Sequence, residues 1–179
     1  MRKLLILDLD ETLFHASKTR LPISHDFTIE DYFAYKRPHV DAFIAFCKQR
    51  FELAVWTSAT SDYAHCVVSE IIGDPDELKF LWHREQCITR MNTFTYEPIY
   101  IKDLKKVKRK GIDLNHVIAL DDSPEKLKRN YGNLLRIDPF VGDVADDALI
   151  RLMPYLETLQ MVENIRTVEK RGWRSASRI

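Results

Sequence analysis

The chain has 179 residues, enough for one domain with a sizeable hydrophobic core. Its formal net charge is zero, so bulk charge gives no reason to expect a nucleic-acid or membrane partner. No apolar run approaches the ~20 residues of a membrane-spanning helix, and the first predicted strand begins too early to leave room for a signal peptide. The three cysteines form no metal or disulfide pattern. We expect a soluble intracellular protein, cytoplasmic or, in a eukaryote, nuclear.

The stretch 4–13, which reads LLILDLDETL, starts as an apolar run and ends in two carboxylates, Asp8 and Asp10. A short apolar run of this kind fits a strand buried on both faces, as in a parallel sheet. Side chains alternate along a strand, so the two carboxylates can face the same cleft. A solvated acidic turn after a core strand explains this motif equally well when it is taken alone.

The next segments alternate between irregular and periodic sequence. Residues 15–36 are polar with scattered aromatics, and we expect a loop with a short hairpin or a helical turn near the cleft. A helix is predicted over residues 38–50 and a second strand over residues 51–56. Hydroxyl residues follow that strand at once, beginning with Thr57 and Ser58.

A second helix is predicted over residues 62–72, where Gly73 ends the helical pattern. Residues 74–100 are the least regular part of the chain, and we expect a small insertion with short strands. A basic run follows over residues 105–110. We interpret it as solvated surface rather than as a site for an anionic partner.

The third predicted core strand, residues 117–120, also ends in paired carboxylates, Asp121 and Asp122. Ser123 and Pro124 suit the cap and the first position of a helix.

A fourth strand at residues 134–137 and a last helix at 148–162, kinked or split at Pro154, complete the predicted core. The polar and basic tail at 169–179 is a candidate for disorder. Strands that alternate with helices predict right-handed crossovers, a central parallel sheet and a three-layer α/β/α sandwich.

Three predicted strands therefore end in polar residues, at Asp8, Thr57 and Asp121. Because the carboxyl ends of parallel strands meet at one edge, we expect one cleft there. Its acids make a hard oxygen site suited to Mg²⁺, and a carboxylate can act as a nucleophile that forms an aspartyl-phosphate. Phosphoryl transfer also needs positive charge, for which Lys102 is our candidate, although alone it would pass for a surface lysine.

Four motifs in this order resemble those of haloacid-dehalogenase-superfamily phosphatases: DLDETL at 8–13, WTSA at 56–59, YIKDL at 100–104 and LDDSP at 120–124. The segment KRPHVDAF at 36–43 and the RExC pattern at 84–87 resemble the branch with an FCP1-type homology domain. That branch contains phosphatases of the RNA polymerase II tail, the NLI-interacting-factor-like proteins and a mitochondrial import subunit. The resemblance implies a Rossmann-like domain over residues 1–165 without a large cap domain, followed by a polar tail over 166–179.

The resemblance also implies roles for the matching residues. Asp8 would be the nucleophile, and Asp10 the general acid/base whose backbone carbonyl also reaches the metal. Thr12 would steady the catalytic loop. The implied catalytic residues are Asp8, Asp10, Thr57 and Lys102. The implied phosphate-binding residues are Thr12, Thr57, Ser58 and Lys102. The implied Mg²⁺ ligands are Asp8, Asp10, Asp121 and Asp122, of which Asp122 matches the direct ligand beside a supporting Asp121.

We therefore expect a Mg²⁺-dependent phosphatase that acts through an aspartyl-phosphate. Its insertions are too short for a large lid, so the cleft stays open to a phosphoserine or phosphothreonine on a protein or peptide. The alternatives are a phosphatase of a small phosphoester and a non-catalytic binding module on the same scaffold. A nucleic-acid binder built on the basic run is disfavoured by the neutral net charge, and a monomer is favoured.

Overall fold

The apolar run near the N-terminus forms the central strand of a five-stranded parallel sheet. The computed structural model describes residues 2–176. With strands numbered along the chain, the spatial order is β10 (Leu134–Arg136), β9 (Val117–Asp121), β1 (Leu4–Leu7), β5 (Glu52–Trp56) and β6 (Leu81–Trp82). Along the chain, β1 is followed first by the strands on one side of it, β5 and β6, and then by those on its other side, β9 and β10. The direction in which strands are added therefore reverses between β1 and β9. A crevice opens at such a reversal, outside the carboxyl ends of the strands.

Alternation along β1 divides its apolar residues between two cores. Leu5 and Leu7 contribute to the larger one, which also contains residues of four helices. Leu4 and Ile6 contribute to the smaller one on the opposite face, with Val107. The larger core is covered by α1 (Val40–Arg50), α2 (Ser61–Ile71) and α4 (Ala148–Met161), and the smaller one by α3 (Lys105–Lys108) and 3₁₀ turns. The predicted three-layer α/β/α fold with a parallel sheet is confirmed.

Two small antiparallel sheets flank the main one. The first has the strand order β2-β4-β3 and contains half of residues 15–36, where we predicted a loop with a short hairpin or a helical turn. The hairpin is present as β3 and β4, whereas the third strand, β2, was not predicted. Phe14 and Tyr35 anchor it because both rings are buried. Its strands are β2 (Phe14–Ser17), β3 (Phe27–Ile29) and β4 (Tyr32–Lys36). The second is the hairpin of β7 (Ile88–Met91) and β8 (Pro98–Ile101), which lies in the predicted insertion.

Two helix predictions need correction. The segment after Ser123 is a 3₁₀ turn, Pro124–Leu127, rather than a longer helix. The last helix, α4, continues through Pro154 without a split, and the alternative of a kink there stays a prediction. Pro154 deprives the Ile150 carbonyl of its helical donor, but both residues are exposed, where water can bond that carbonyl.

The chain after α4 packs against the domain. The Trp173 side chain is buried, and its indole Nε1–H donates to the Arg136 carbonyl at 2.8 Å. It starts the short helix α5 (Trp173–Ala176). The expected disorder is therefore wrong up to residue 176, and residues 177–179 lie outside the described residues. Along residues 2–176 we find no helix with the length and apolar character needed to cross a membrane.

We expect Trp173→Ala to lower the free energy of unfolding by about 3 kcal/mol, because it empties a buried site and removes a hydrogen bond. Urea unfolding followed by circular dichroism measures the effect. Met161→Ala is the matched control, since that side chain is 86% exposed and its loss should cost less than about 0.5 kcal/mol. Equal values for the two variants would contradict the docking of the C-terminal segment.

Candidate active site

The register of the sheet brings the first and third acidic motifs together. Leu7 pairs with Leu120 on β9, so Asp8 and Asp121 are the next residues along adjacent strands. The Asp8 N–H continues this pairing by donating to the Leu120 carbonyl at 3.0 Å. Leu9 is fully buried, so alternation turns the Asp8 and Asp10 side chains away from it. The expected convergence of distant strand ends is observed.

Two lysines lie among these carboxylates. Lys102, the candidate from the sequence, has its Nζ at 2.9 Å from Asp8 Oδ1 and 2.6 Å from Asp121 Oδ2. Lys126 was not predicted; its Nζ lies 2.8 Å from Asp8 Oδ2 and 3.8 Å from Asp122 Oδ1. It belongs to the 3₁₀ turn after the fourth motif, and only its four-residue spacing from Asp122 could have indicated a contact.

Asp8 and Asp121 contact the same lysines, but their pKa values shift in opposite directions. Burial alone would raise the pKa of Asp8, but the ammonium groups of Lys102 and Lys126 hold this pKa well below its usual range. Burial, together with the charge on Asp8, raises the pKa of Asp121 to about 7, although the same two lysines act to lower it. Asp8 is therefore ionised at neutral pH, and further positive charge at this place would favour ionisation of Asp121 as well.

Asp10 has different partners. The Tyr63 hydroxyl donates to Asp10 Oδ1 at 2.7 Å, and the Thr57 hydroxyl lies 3.5 Å from Asp10 Oδ2. Burial and the charge on Asp8 raise the pKa of Asp10, which the Tyr63 hydrogen bond offsets only in part. Asp10 thus retains its proton to higher pH than an ordinary aspartate. Tyr63 lies in the helix that we predicted over residues 62–72, but it was not among the predicted site residues.

Two of the predicted phosphate-binding hydroxyls, those of Thr57 and Ser58, follow the end of β5. Thr57 is fully buried, and its Oγ1 accepts the Ala59 N–H at 3.0 Å. Ser58 is half-buried, and its carbonyl accepts from Arg84 Nε at 2.8 Å. These contacts fix the turn that follows β5 beside Asp10.

Arg37 braces the loop after Asp10. Its buried guanidinium donates to both Asp146 oxygens, at 2.9 and 2.7 Å, and to the Thr12 carbonyl at 3.1 Å. Burial alone would raise the pKa of Asp146, but the hydrogen bonds from Arg37 keep it below its usual range. Thr12 is completely buried in this loop, a position that favours the loop-steadying part of its predicted role.

The donor set fits a divalent metal ion. Asp8, Asp121 and Asp122 each offer a carboxylate oxygen, and these atoms lie within 4.8 Å of one another. Among the residues that the structure describes, Asp122 Oδ1 is buried without a hydrogen-bond partner. Hard cations prefer carboxylate oxygens, so this group of three can bind one. The Asp10 carboxylate is not in the group, and the predicted contact of its backbone carbonyl stays a prediction.

The model of the NLI interacting factor-like phosphatase family matches residues 3–166. This chain belongs to that family. The predicted family membership is thus confirmed, and the chain is a phosphoric monoester hydrolase with a haloacid-dehalogenase-like fold.

Several known proteins are similar to it. The CTD nuclear envelope phosphatase 1 homolog of Drosophila melanogaster is 30% identical, over 96% of this chain and 73% of that protein. A probable C-terminal domain small phosphatase of Dictyostelium discoideum is 32% identical, over 93% of this chain and 53% of that protein. The fission yeast RNA polymerase II CTD phosphatase Fcp1, solved with beryllium fluoride, aligns with a TM-score of 0.56 at 19% identity, over 89% of this chain and 50% of that one. This chain therefore spans about half the length of the last two proteins.

Proposed function

We propose that this phosphatase removes phosphate from phosphoserine or phosphothreonine on a protein, with Mg²⁺ as cofactor and Asp8 as the residue that is phosphorylated. The observation that carries the proposal is the opposite behaviour of two neighbouring carboxyl groups. Asp8 is kept ionised by lysines, whereas burial and the charge on Asp8 raise the pKa of Asp10. One group is thereby suited to be a nucleophile and the other a proton donor.

In the first step, an Asp8 oxygen forms a bond to phosphorus while the bond to the substrate oxygen breaks, and Asp10 gives its proton to that leaving oxygen. In the second step, the Asp10 carboxylate takes a proton from water, whose oxygen attacks phosphorus and releases Asp8 and inorganic phosphate. Lys102 offsets the negative charge of Asp8 and of the phosphoryl group. Thr57 and Ser58 bind the phosphoryl oxygens.

The metal ligands that we propose are the side chains of Asp8 and Asp122, with Asp121 in support and the backbone carbonyl of Asp10. Asp122 has a buried oxygen without a hydrogen-bond partner among the described residues. Asp121, by contrast, already accepts from Lys102 and from the Ser123 N–H at 2.9 Å. Bound Mg²⁺ supplies positive charge to the phosphoryl oxygens.

A protein substrate is supported by the hairpin of β7 and β8. Its base adjoins the phosphate-binding turn through Arg84, which precedes β7: the Arg84 guanidinium lies 4.9 Å from the ring centroid of Tyr100 on β8 and donates to the Ser58 carbonyl. Its tip exposes Phe94 and Tyr96, which are 92% and 79% accessible. Within residues 2–176 the insertion adds no large cap that would close the cleft. Exposed aromatic residues beside an open site are suited to bind the polypeptide that carries the phosphate. The absence of nucleic-acid and membrane partners, the monomeric state and the intracellular location stay predictions.

We expect Asp8→Asn to abolish turnover of an aryl phosphate in Mg²⁺, and Asp10→Asn to slow it by about 10²- to 10⁴-fold. For Asp10→Asn the loss should be larger with a phosphoserine peptide, whose leaving oxygen needs the proton more. Steady-state rates, and labelled phosphate retained on the denatured enzyme, measure both steps. Asp76→Asn, the same change at an exposed site, is the control. An Asp8→Asn variant as active as this control would rule out the mechanism.

Tyr63→Phe tests the role of Asp10 through pH dependence. The substitution removes a hydrogen bond that stabilises the charged carboxylate, so the pKa of Asp10 should rise further. Protonated Asp10 is lost as pH rises through this pKa, so the alkaline limb of the kcat/KM profile should move to higher pH. Tyr155→Phe, at a buried tyrosine that bonds the Glu169 carbonyl, is the control. An unmoved limb in the Tyr63 variant would contradict Asp10 as the proton donor.

The class of substrate can be tested at the hairpin tip. We expect the double substitution Phe94→Ala and Tyr96→Ala to lower the ratio of kcat/KM for a phosphoserine peptide to that for an aryl phosphate by about tenfold, the loss of one good aromatic contact. Met161→Ala removes an exposed apolar side chain elsewhere and should leave the ratio unchanged. An unchanged ratio in the double variant, with faster hydrolysis of small phosphomonoesters, would favour a small-molecule substrate instead.

A further inference from the structure

Lys126 lies at the point where the three carboxylates of the candidate metal site converge. Its Nζ is 2.8 Å from Asp8 Oδ2, 3.8 Å from Asp122 Oδ1 and 3.9 Å from Asp121 Oδ1. An ammonium group in this place faces the oxygens that we assign to the metal. It thereby offsets part of the mutual repulsion of three buried acids.

The two lysines of the site differ in their freedom to move. The Lys102 side chain is 3% exposed and is held between Asp8 and Asp121. The Lys126 side chain is 19% exposed, so it has a path to solvent. Its backbone is fixed, because its N–H bonds the Ser123 carbonyl and its own carbonyl accepts the Lys102 N–H at 2.7 Å. Rotation about the flexible side chain alone can therefore take the Lys126 ammonium out of the group.

An ammonium and a divalent cation cannot share these oxygens at low cost. A metal ion bound to Asp8 and Asp122 would lie within a few ångströms of Nζ in its present position, where like charges repel strongly in a poorly hydrated site. Binding of metal therefore requires Lys126 to withdraw. Lys102 needs no such movement, because its ion pairs are with Asp8 Oδ1 and Asp121 Oδ2, whereas Lys126 lies nearest the other oxygen of each carboxylate.

We propose that Lys126 is a tethered internal cation that neutralises the carboxylates in the metal-free enzyme and competes with the metal ion for Asp8 and Asp122. It is then a determinant of metal affinity, and it stabilises the folded site whenever no metal ion is bound. This inference rests on the metal site of the proposed function.

Calorimetric titration with Mg²⁺ and with Mn²⁺, without substrate and at one pH, tests the competition. We expect Lys126→Met and Lys126→Gln to bind metal at least about tenfold more tightly than the unsubstituted chain, which corresponds to about 1.4 kcal/mol. Lys126→Arg retains the charge and should stay close to the unsubstituted chain. Lys128→Met removes the same charge from an exposed position two residues away and should also leave the affinity unchanged. Equal affinities for Lys126→Met and Lys128→Met would overturn the proposal.

Thermal unfolding with and without metal gives a second readout. Lys126→Met should have a lower Tm than Lys128→Met in the metal-free state, and a larger increase in Tm on addition of Mg²⁺. If the Lys126 variants unfold without metal, recovery of the fold in Mg²⁺ supports the same conclusion. A Tm that neither falls without metal nor responds more strongly to it would show that Lys126 does not act as an internal cation.

The experiment separates this inference from the metal site itself. Asp122→Asn should weaken binding of Mn²⁺ to the otherwise unsubstituted chain. If the unsubstituted chain and the Lys126→Met variant both bind no metal, the metal site of the proposed function is wrong. If the unsubstituted chain binds Mn²⁺ and Asp122→Asn weakens that binding, but Lys126→Met and Lys128→Met bind Mn²⁺ with equal affinity, only the role of Lys126 is wrong.

Discussion

The burial of Asp8 beside Asp121 is the constraint on which the site depends. Two carboxylates at neighbouring strand ends lose hydration together and repel each other, and an unpaired buried charge costs several kcal/mol. The Lys102 ammonium, at 2.9 and 2.6 Å from the two, offsets that cost. The main sheet holds the backbone of Asp8 and Asp121 in place, and the backbone of Lys102 is held by the hydrogen bond from its N–H to the Lys126 carbonyl. The fold therefore establishes the geometry of the reacting groups before any ligand binds.

Distance from the lysines explains why two aspartates of one motif differ in chemistry. Asp8 is in contact with two ammonium groups, whereas Asp10 has a tyrosine and a threonine hydroxyl as its partners. Both carboxyl groups are removed from water, but only Asp8 is in direct contact with ammonium groups, whereas Lys126 acts on Asp10 more weakly and from a distance. The pKa values are thus pushed in opposite directions by environment alone, which is how one residue type can supply both a nucleophile and an acid.

The predictable part of this structure is the part that the strands position. The apolar runs that became β1, β5 and β9 were recognisable because buried parallel strands leave continuous hydrophobic sequence, and parallel pairing then required their polar ends to meet. The sheet β2-β4-β3 was harder, since its strands are short, partly exposed and mixed in composition. The docking of Trp173 was not predictable, because its hydrogen-bond partner is the carbonyl of Arg136, which lies elsewhere in the chain.

The residues missed in the site share one property: neither Tyr63 nor Lys126 lies on a strand. Tyr63 has helical apolar spacing, and only the packing of α2 on the larger core takes its hydroxyl to Asp10. Lys126 becomes a partner of three acids only because a 3₁₀ turn follows the fourth motif. The four motifs contain the residues that we propose react, whereas these neighbours act on proton affinity and charge balance. By our proposal, two chains with the same four motifs can differ in acid strength and in metal affinity, because residues outside the motifs influence both properties.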